Sequence, residues 1–438
     1  MNRRTLIKAA AALPLLRIPG AGAEALPELA RAARDAWIFG LPPVEMAQAR
    51  ARMLGAGLPP NRLFHRRALA TASDRAVTTP NNDTLYSVAW LNLAAGPVRL
   101  TLPASGARYL SVALLDMYTD NFAVLGTRTT GRDGGSFTLV GPGAATDDPL
   151  AIRATTGWVW LLARTLVDGE ADLPAAHAVQ DGIRLEGPAA PLPAGSFAGR
   201  DAPWGGYFAS LQALLAESPP RATDLGLLRA IAPLGIGGGF DPARFTPAQA
   251  AEIERGVAEA RAAVRGSGWG GRIVDGWTYP RANLGLFGQD YLYRAQIALG
   301  GLAALPREEA MYMRAFDDRG RGTFAPGSAW RLRFPAGKPL PLDGFWSLTL
   351  YRATPDGQFF FAGNPLGRYA VGDRTPGLQR GAGGALDLLV SAADPGEGSR
   401  ANWLPAPASE PFALIFRAYL PRAELLDGAY ALPRLARA

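Results

Sequence analysis

Thr78–Leu93 reads TTPNNDTLYSVAWLNL, and two kinds of order meet in it. Pro80-Asn81-Asn82-Asp83 is turn chemistry: proline presets φ, while Asn and Asp hydrogen-bond their own backbone and tolerate left-handed conformations. From Leu85 the period becomes two. Leu85, Ser87, Ala89 and Leu91 alternate with Tyr86, Val88, Trp90 and Asn92, the pattern of a strand with its aromatics on one face. Short polar side chains therefore stand at the mouth of an aromatic-faced strand. A loop on a rigid scaffold is a place for a site. The same residues also make a turn that caps its own backbone.

Outward from this stretch, strands are expected at 85–93, 98–102, 109–115, 122–126, 137–140 and 158–167, separated by Gly, Pro and Asp turns. Such spacing belongs to a β-sandwich or barrel and not to βαβ units. Trp158-Val159-Trp160-Leu161-Leu162 is nearly continuous apolar sequence and predicts a strand buried on both faces. Upstream, helical spacing runs from Glu24 to Phe39, ended by Gly40 and Pro42-Pro43, and a second helix covers Val44–Leu54. The middle is helical at 172–180, 204–216, 224–231 and 247–264, the last with Thr246 as N-cap and Pro247 at its first position. A helix over 283–305 carries Phe287, Tyr291 and Tyr293, a stripe read as core. Strands return at 310–316, 330–334, 345–351, 359–361, 369–371, 386–390 and 412–419, a second antiparallel sandwich.

Composition agrees. The chain has 52 Gly and 37 Pro, which favours turns and short strands, and 48% hydrophobic residues, enough for a sizeable core. No apolar run approaches the ~20 residues needed to span a bilayer. Asn2-Arg3-Arg4-Thr5-Leu6-Ile7-Lys8, the apolar Ala9–Leu16 and the small Ala21-Gly22-Ala23 resemble a twin-arginine export signal, so residues 1–23 are set apart and a periplasmic location is expected. Arg3, Arg4, Lys8 and Arg17 fall in that segment and no acid does, so much of the formal +7 charge belongs to it. His65-Arg66-Arg67 is too short a basic cluster for nucleic acid. The absence of cysteine excludes disulfides, thiolate zinc sites and cysteine nucleophiles.

The opening stretch, with Leu115-Asp116-Met117-Tyr118-Thr119-Asp120-Asn121, Gly126-Thr127-Arg128-Thr129-Thr130-Gly131 and Val140-Gly141-Pro142-Gly143, resembles a family of exported bacterial proteins known as domain of unknown function 1254. The second half resembles domain of unknown function 1214, which usually follows it. That likeness rests on Gly344-Phe345-Trp346-Ser347-Leu348-Thr349-Leu350-Tyr351, Asn364-Pro365 with Arg368-Tyr369, and Asn402-Trp403-Leu404-Pro405-Ala406-Pro407. The resemblance implies a jelly-roll in the second half. The expected fold is α+β, mainly β: two antiparallel β-sandwich or jelly-roll-like domains joined by a helical middle segment. Its parts are 24–200, 201–308 and 309–438. Where the family pattern often reads Asp-Gly-Ser-Leu, this chain has Gly383-Gly384-Ala385-Leu386, so no site is placed there.

His65 and His177 form no metal-ligand pair, and no Gly-x-Ser-x-Gly elbow is present. Neither a metal nor a cofactor is expected. Carboxylates and phenols are better supplied. Asp83, Tyr86, Asp116 and Tyr118 are the candidate acid–base residues; Asn81, Asn82, Asn121 and Arg128 are candidate ligand contacts. The expectation is that the 81–86 loop and the 116–121 segment converge on one rim, with Arg128 holding Asp116 ionised. Asn402 and Trp403, with Trp346 and Tyr369, form either an aromatic floor for a glycan or core. Two readings follow. One is a cofactor-independent hydrolase or lyase with a small polar or anionic substrate near the N-terminal β-domain. The other is a non-catalytic sandwich that binds an envelope glycan or a partner subunit, a homo-oligomer included.

Overall fold

The computed structural model describes residues 27–193, 195–266 and 271–438. The expected export signal, Arg3 and Arg4 included, lies outside the described residues. Among the described residues the strands form four sheets, antiparallel except for two short parallel pairings. The fold is α+β, as expected.

Thr84–Asn92 pairs over its whole length with Trp158–Leu166, which pairs in turn with Leu110–Asp116. Phe64–His65 and Asn121–Gly126 complete this five-stranded sheet. Alternation sorts its faces. Ala89, Leu91, Val112, Leu114, Val159 and Leu161 pack against Val98, Leu100, Leu102 and Leu139 of a four-stranded sheet. Tyr86, Trp90, Tyr109 and Trp160 point the other way, towards the helices and the second half of the chain.

The helical layer departs from expectation twice. Glu28–Gly55 is one helix that runs through Pro42 and Pro43. Proline removes a backbone donor and crowds the preceding turn, which is why a break was expected there. Packing overrides it: Phe39–Ala47 is buried on every side, against helices Trp204–Glu217, Pro247–Gly266 and Tyr291–Gly300. The middle segment therefore builds one layer with the first helix and is more than a connection. The helix expected over 283–305 is only Tyr291–Gly300. Gly285 and Gly288 adopt positive φ ahead of it, and the Asp290 carboxylate accepts from the Tyr293 N–H to start it. Thr246 caps its helix as read: its hydroxyl accepts from Gln249 N–H while the Gln249 side chain accepts from Thr246 N–H.

In the second half, Ala310–Ala315, Phe412–Tyr419 and Trp346–Ala353 form the centre of a seven-stranded sheet. Met311, Met313, Leu348, Leu350, Leu414 and Phe416 face Trp330, Leu332, Leu388 and Val390 of a four-stranded sheet. The opposite face is polar yet covered: Ser347, Thr349, Tyr351, Arg417 and Tyr419 are all buried. What covers it is the turn at Pro80. Tyr351 donates to the Pro80 carbonyl at 2.7 Å, Asn81 donates to the Tyr419 hydroxyl at 2.7 Å, and Ser347 donates to Asp83 at 2.7 Å.

Gly126 closes Asn121–Gly126 with φ of 117°, and a Cβ there would stand 2.2 Å from the Leu110 carbonyl oxygen. It turns the chain so that Arg128 reaches Glu309 across the domain boundary at 2.6 Å. Gly126→Ala is expected to lose more than about 2 kcal/mol, from strained φ plus the clash. Denaturant unfolding checks this; an unchanged midpoint would mean that the turn yields without cost.

Candidate functional site

Asp83 sits at the start of its strand with a carboxylate that is fully engaged. Ser347 donates to one oxygen, and Arg374 pairs with the other at 2.9 Å. The Asn81 side-chain oxygen accepts from the Asp83 N–H at 2.6 Å, the expected Asx-type turn. Asn82 donates to the Ala70 carbonyl at 2.8 Å. The loop is a clamp between the two halves.

Asp116 is fully buried at the far end of its strand. Its carboxylate takes Arg221 at 2.5 Å, the Thr155 hydroxyl at 2.7 Å and the N–H groups of Tyr118 and Asp120. Burial raises its pKa, and Arg221 works against that rise. Arg221 also pairs with Asp120, as does the buried Arg294. Asn121 donates to the carbonyls of Gly285 and Ala304. Tyr118 donates to the Ser218 carbonyl at 2.7 Å, and burial, then the carboxylates of Asp224 and Asp116, raise its pKa. This knot ties the helical layer to the sheet.

The two clusters do not converge. Asp116 lies opposite Val159, while the Asp83 carbonyl accepts from the Val167 N–H at the other end of the same strand. Eight residues of strand separate them, about 26 Å. Two strands that flank the central one and run the same way put the end of one and the start of the other at opposite rims, which spacing along the chain does not reveal. The Arg128 pairing is also corrected. Its partner is Glu309, which likewise accepts from the Tyr109 hydroxyl at 2.7 Å; the guanidinium beside Asp116 belongs to Arg221.

Between the two knots the same central strand carries Arg164, which is 5% exposed. Tyr86 and Ser111 are its cross-strand neighbours. Nη2 donates to the Ala303 carbonyl at 3.3 Å, and Nε and Nη1 have no partner among the described residues. The Tyr86 ring centroid is 5.5 Å from the guanidinium carbon. Burial opposes the charge, but the phenol oxygens of Tyr86, Tyr312, Tyr419 and Tyr109 offset it and hold the guanidinium above its ordinary pKa. Arg417, just as buried, makes a contrast. Its terminal nitrogens donate to Thr349, Tyr351 and the carbonyls of Thr79 and Pro80. Arg164 alone of the two keeps a charged fork with an open nitrogen pair, and phenols rather than carboxylates surround it. Such an arrangement accepts an anion and offers hydroxyl donors around it.

Residues 60–187 match the family described as protein of unknown function (DUF1254), and residues 309–423 match the one described as protein of unknown function (DUF1214). The chain carries both, in the expected order. The crystal structure of the VPA0106 protein from Vibrio parahaemolyticus is similar, with 23% identity, a TM-score of 0.71, and coverage of 94% of this chain and 100% of that one. It supports the fold. A putative uncharacterized protein from Burkholderia cenocepacia is more distant, at 13% identity and a TM-score of 0.46, over 94% of each chain. No curated protein matches the chain.

The Arg164 surroundings draw on both regions. Tyr86, Tyr109 and Arg164 come from the DUF1254 region; Tyr312, Arg417 and Tyr419 come from the DUF1214 region. Tyr312 and Tyr419 hydroxyls meet at 3.0 Å within the DUF1214 region, and Asn81 of the DUF1254 region donates to Tyr419 across the boundary. Of the residues proposed from sequence, Tyr86 is in this group, and Asn81 touches it through Tyr419. Asn402 and Trp403 lie elsewhere. Asn402 donates to the carbonyls of Gln379 and Asp387, and Trp403 is buried with its indole N–H on the Ser391 carbonyl. Trp346 is buried as well, so these tryptophans are core and make no open floor. Sequence reading passed over Arg164. The available signal was a lone arginine inside the apolar run Trp158–Val167.

Asp116→Asn keeps shape but removes the charge that faces Arg221. Breaking a buried ion pair by changing one partner costs about 3 kcal/mol. A clear fall in melting temperature is expected; a variant that melts with the wild type would return Asp116 to the list of site residues.

Proposed function

We propose that the protein binds a small organic acid, with its carboxylate docked on Arg164 between the two β-domains. The observation that carries this reading is the buried guanidinium with two unpartnered nitrogens. Donors buried without acceptors cost free energy, and a bound carboxylate offsets that cost by accepting from them. A carboxylate suits the planar fork of arginine, which offers parallel N–H donors where lysine offers a point charge. Tyr86, Tyr312 and Tyr419 supply hydroxyls beside it. Binding is favoured over hydrolase or lyase chemistry because the expected acid–base carboxylates, Asp83 and Asp116, are occupied by other side chains. The glycan reading loses its floor with the burial of Trp346 and Trp403.

The test compares wild type with Arg164→Met in a thermal-shift screen of small carboxylic acids. An acid at 100 times its dissociation constant stabilises the wild type by about 2.7 kcal/mol. The variant should show no response. Without ligand it should be as stable as the wild type or more so, since an apolar side chain replaces buried donors that lack acceptors. If wild type ignores every acid and Arg164→Met is strongly destabilised, Arg164 is a strut and the binding reading falls.

We also propose that residues 1–23 direct export through the twin-arginine route to the periplasm, on the pattern Arg3-Arg4 before a weakly apolar run. Replacing both arginines by lysine should leave the precursor in the cytoplasm. Cell fractionation reads this directly, and undiminished export would remove the route.

A further inference from the structure

Polar knots occupy both ends of the strand that carries Arg164, but the stretch between Arg164 and the far knot is apolar on the Arg164 face. Moving along the sheet from Tyr86 and Arg164, the next pair on that face is Val88 and Leu162, and the one after it is Trp90 and Trp160. On the neighbouring strand Ala113 lies opposite Leu162. No charged side chain interrupts this run. The indoles are stacked, with centroids 5.3 Å apart and planes 12° from parallel.

Two features single out the run. Tyr86, Val88 and Trp160 keep part of their surface accessible although they lie on the covered face of the sheet. Leu302 and Tyr312, which pack against the same core, are also only partly buried. In addition, the indole N–H groups of Trp90 and Trp160 are buried and unpartnered among the described residues. Unpartnered donors therefore stand at both ends of an apolar strip: the Arg164 guanidinium at one, two indole N–H groups at the other. The strip spans four residues of strand, about 13 Å.

We infer that the acid held at Arg164 is a monocarboxylate with an extended apolar body, which lies along Val88 and Leu162 and ends at the Trp90–Trp160 pair. This rests on the carboxylate-binding reading above and names its ligand class. A second carboxylate on the ligand would be left among apolar side chains without a cation, which selects against dicarboxylates. A neutral oxygen at the far end would instead satisfy an indole N–H. Body length is read by burial and charge by Arg164.

The test measures dissociation constants of acetate, butyrate, hexanoate, decanoate and adipate by calorimetry on the full-length mature protein. Affinity should tighten about fourfold per methylene from acetate to hexanoate, the factor given by burying one methylene in an apolar site. Adipate should bind at least about tenfold more weakly than hexanoate, because its second charge is stranded. Val88→Thr, a change at a partly accessible position, should reduce the dependence on chain length. Arg164→Met should lose the whole series. Four outcomes separate the claims. If no acid binds, acetate included, the carboxylate reading itself fails. If acetate, hexanoate and adipate bind alike, the site takes an anion but the apolar body is wrong. If hexanoate still binds Arg164→Met, the acyl chain sits elsewhere and the inference is overturned. A length dependence that Val88→Thr weakens and Arg164→Met abolishes supports it.

Discussion

The turn Thr79–Asp83 laid across a polar sheet face is the contact on which the architecture depends. A sheet whose one side carries Ser347, Thr349, Tyr351, Arg417 and Tyr419 needs either water or a set of matched acceptors and donors. The turn supplies the match from its own backbone and short side chains, through the Pro80 carbonyl, Asn81 and Asp83. An apolar cover would have left the hydroxyls and the guanidinium stranded, at roughly 1–3 kcal/mol for each group. The turn chemistry that looks local in sequence is therefore a tertiary device. Its partners lie more than two hundred residues away in the chain, and they decide how the two halves meet.

Most of the framework was legible because it follows from alternation. The strands Val98–Leu102, Trp330–Phe334 and Phe412–Tyr419 fall where period two places them. Short strands such as Trp277–Tyr279 and Trp403–Pro405 were not readable, since three residues carry no period. Pro42-Pro43 misled because helix propensity is a local term, and a helix buried on every side is held by packing. Gly285 and Gly288 cut the other way, shortening a helix whose apolar pattern looked continuous.

Of the candidate site, single residues were legible and their pairing was not. Tyr86 and the acidic turn were visible in the sequence. The pairing of charges was not, because each carboxylate found a guanidinium from a distant segment: Asp83 with Arg374, Asp116 with Arg221, Glu309 with Arg128. Arg164 shows what a closer reading would weigh. In Trp158–Val167 a single arginine interrupts an apolar strand, and Arg417 does the same in Phe412–Tyr419. A charge in such a strand must be paid for by partners supplied in three dimensions. In Arg417 both terminal nitrogens have partners, and in Arg164 only one does.

That incompleteness bears on how the two halves hold together. The phenols around Arg164 come from both sequence regions, so a molecule seated there touches both at once. Its binding energy adds to the free energy of keeping the regions docked, as a reversible crosslink would. On the proposed reading, occupancy would tune cooperativity: an occupied protein would melt as one body, whereas an empty one would have less to resist parting along this seam. Cargo and mortar would be the same molecule.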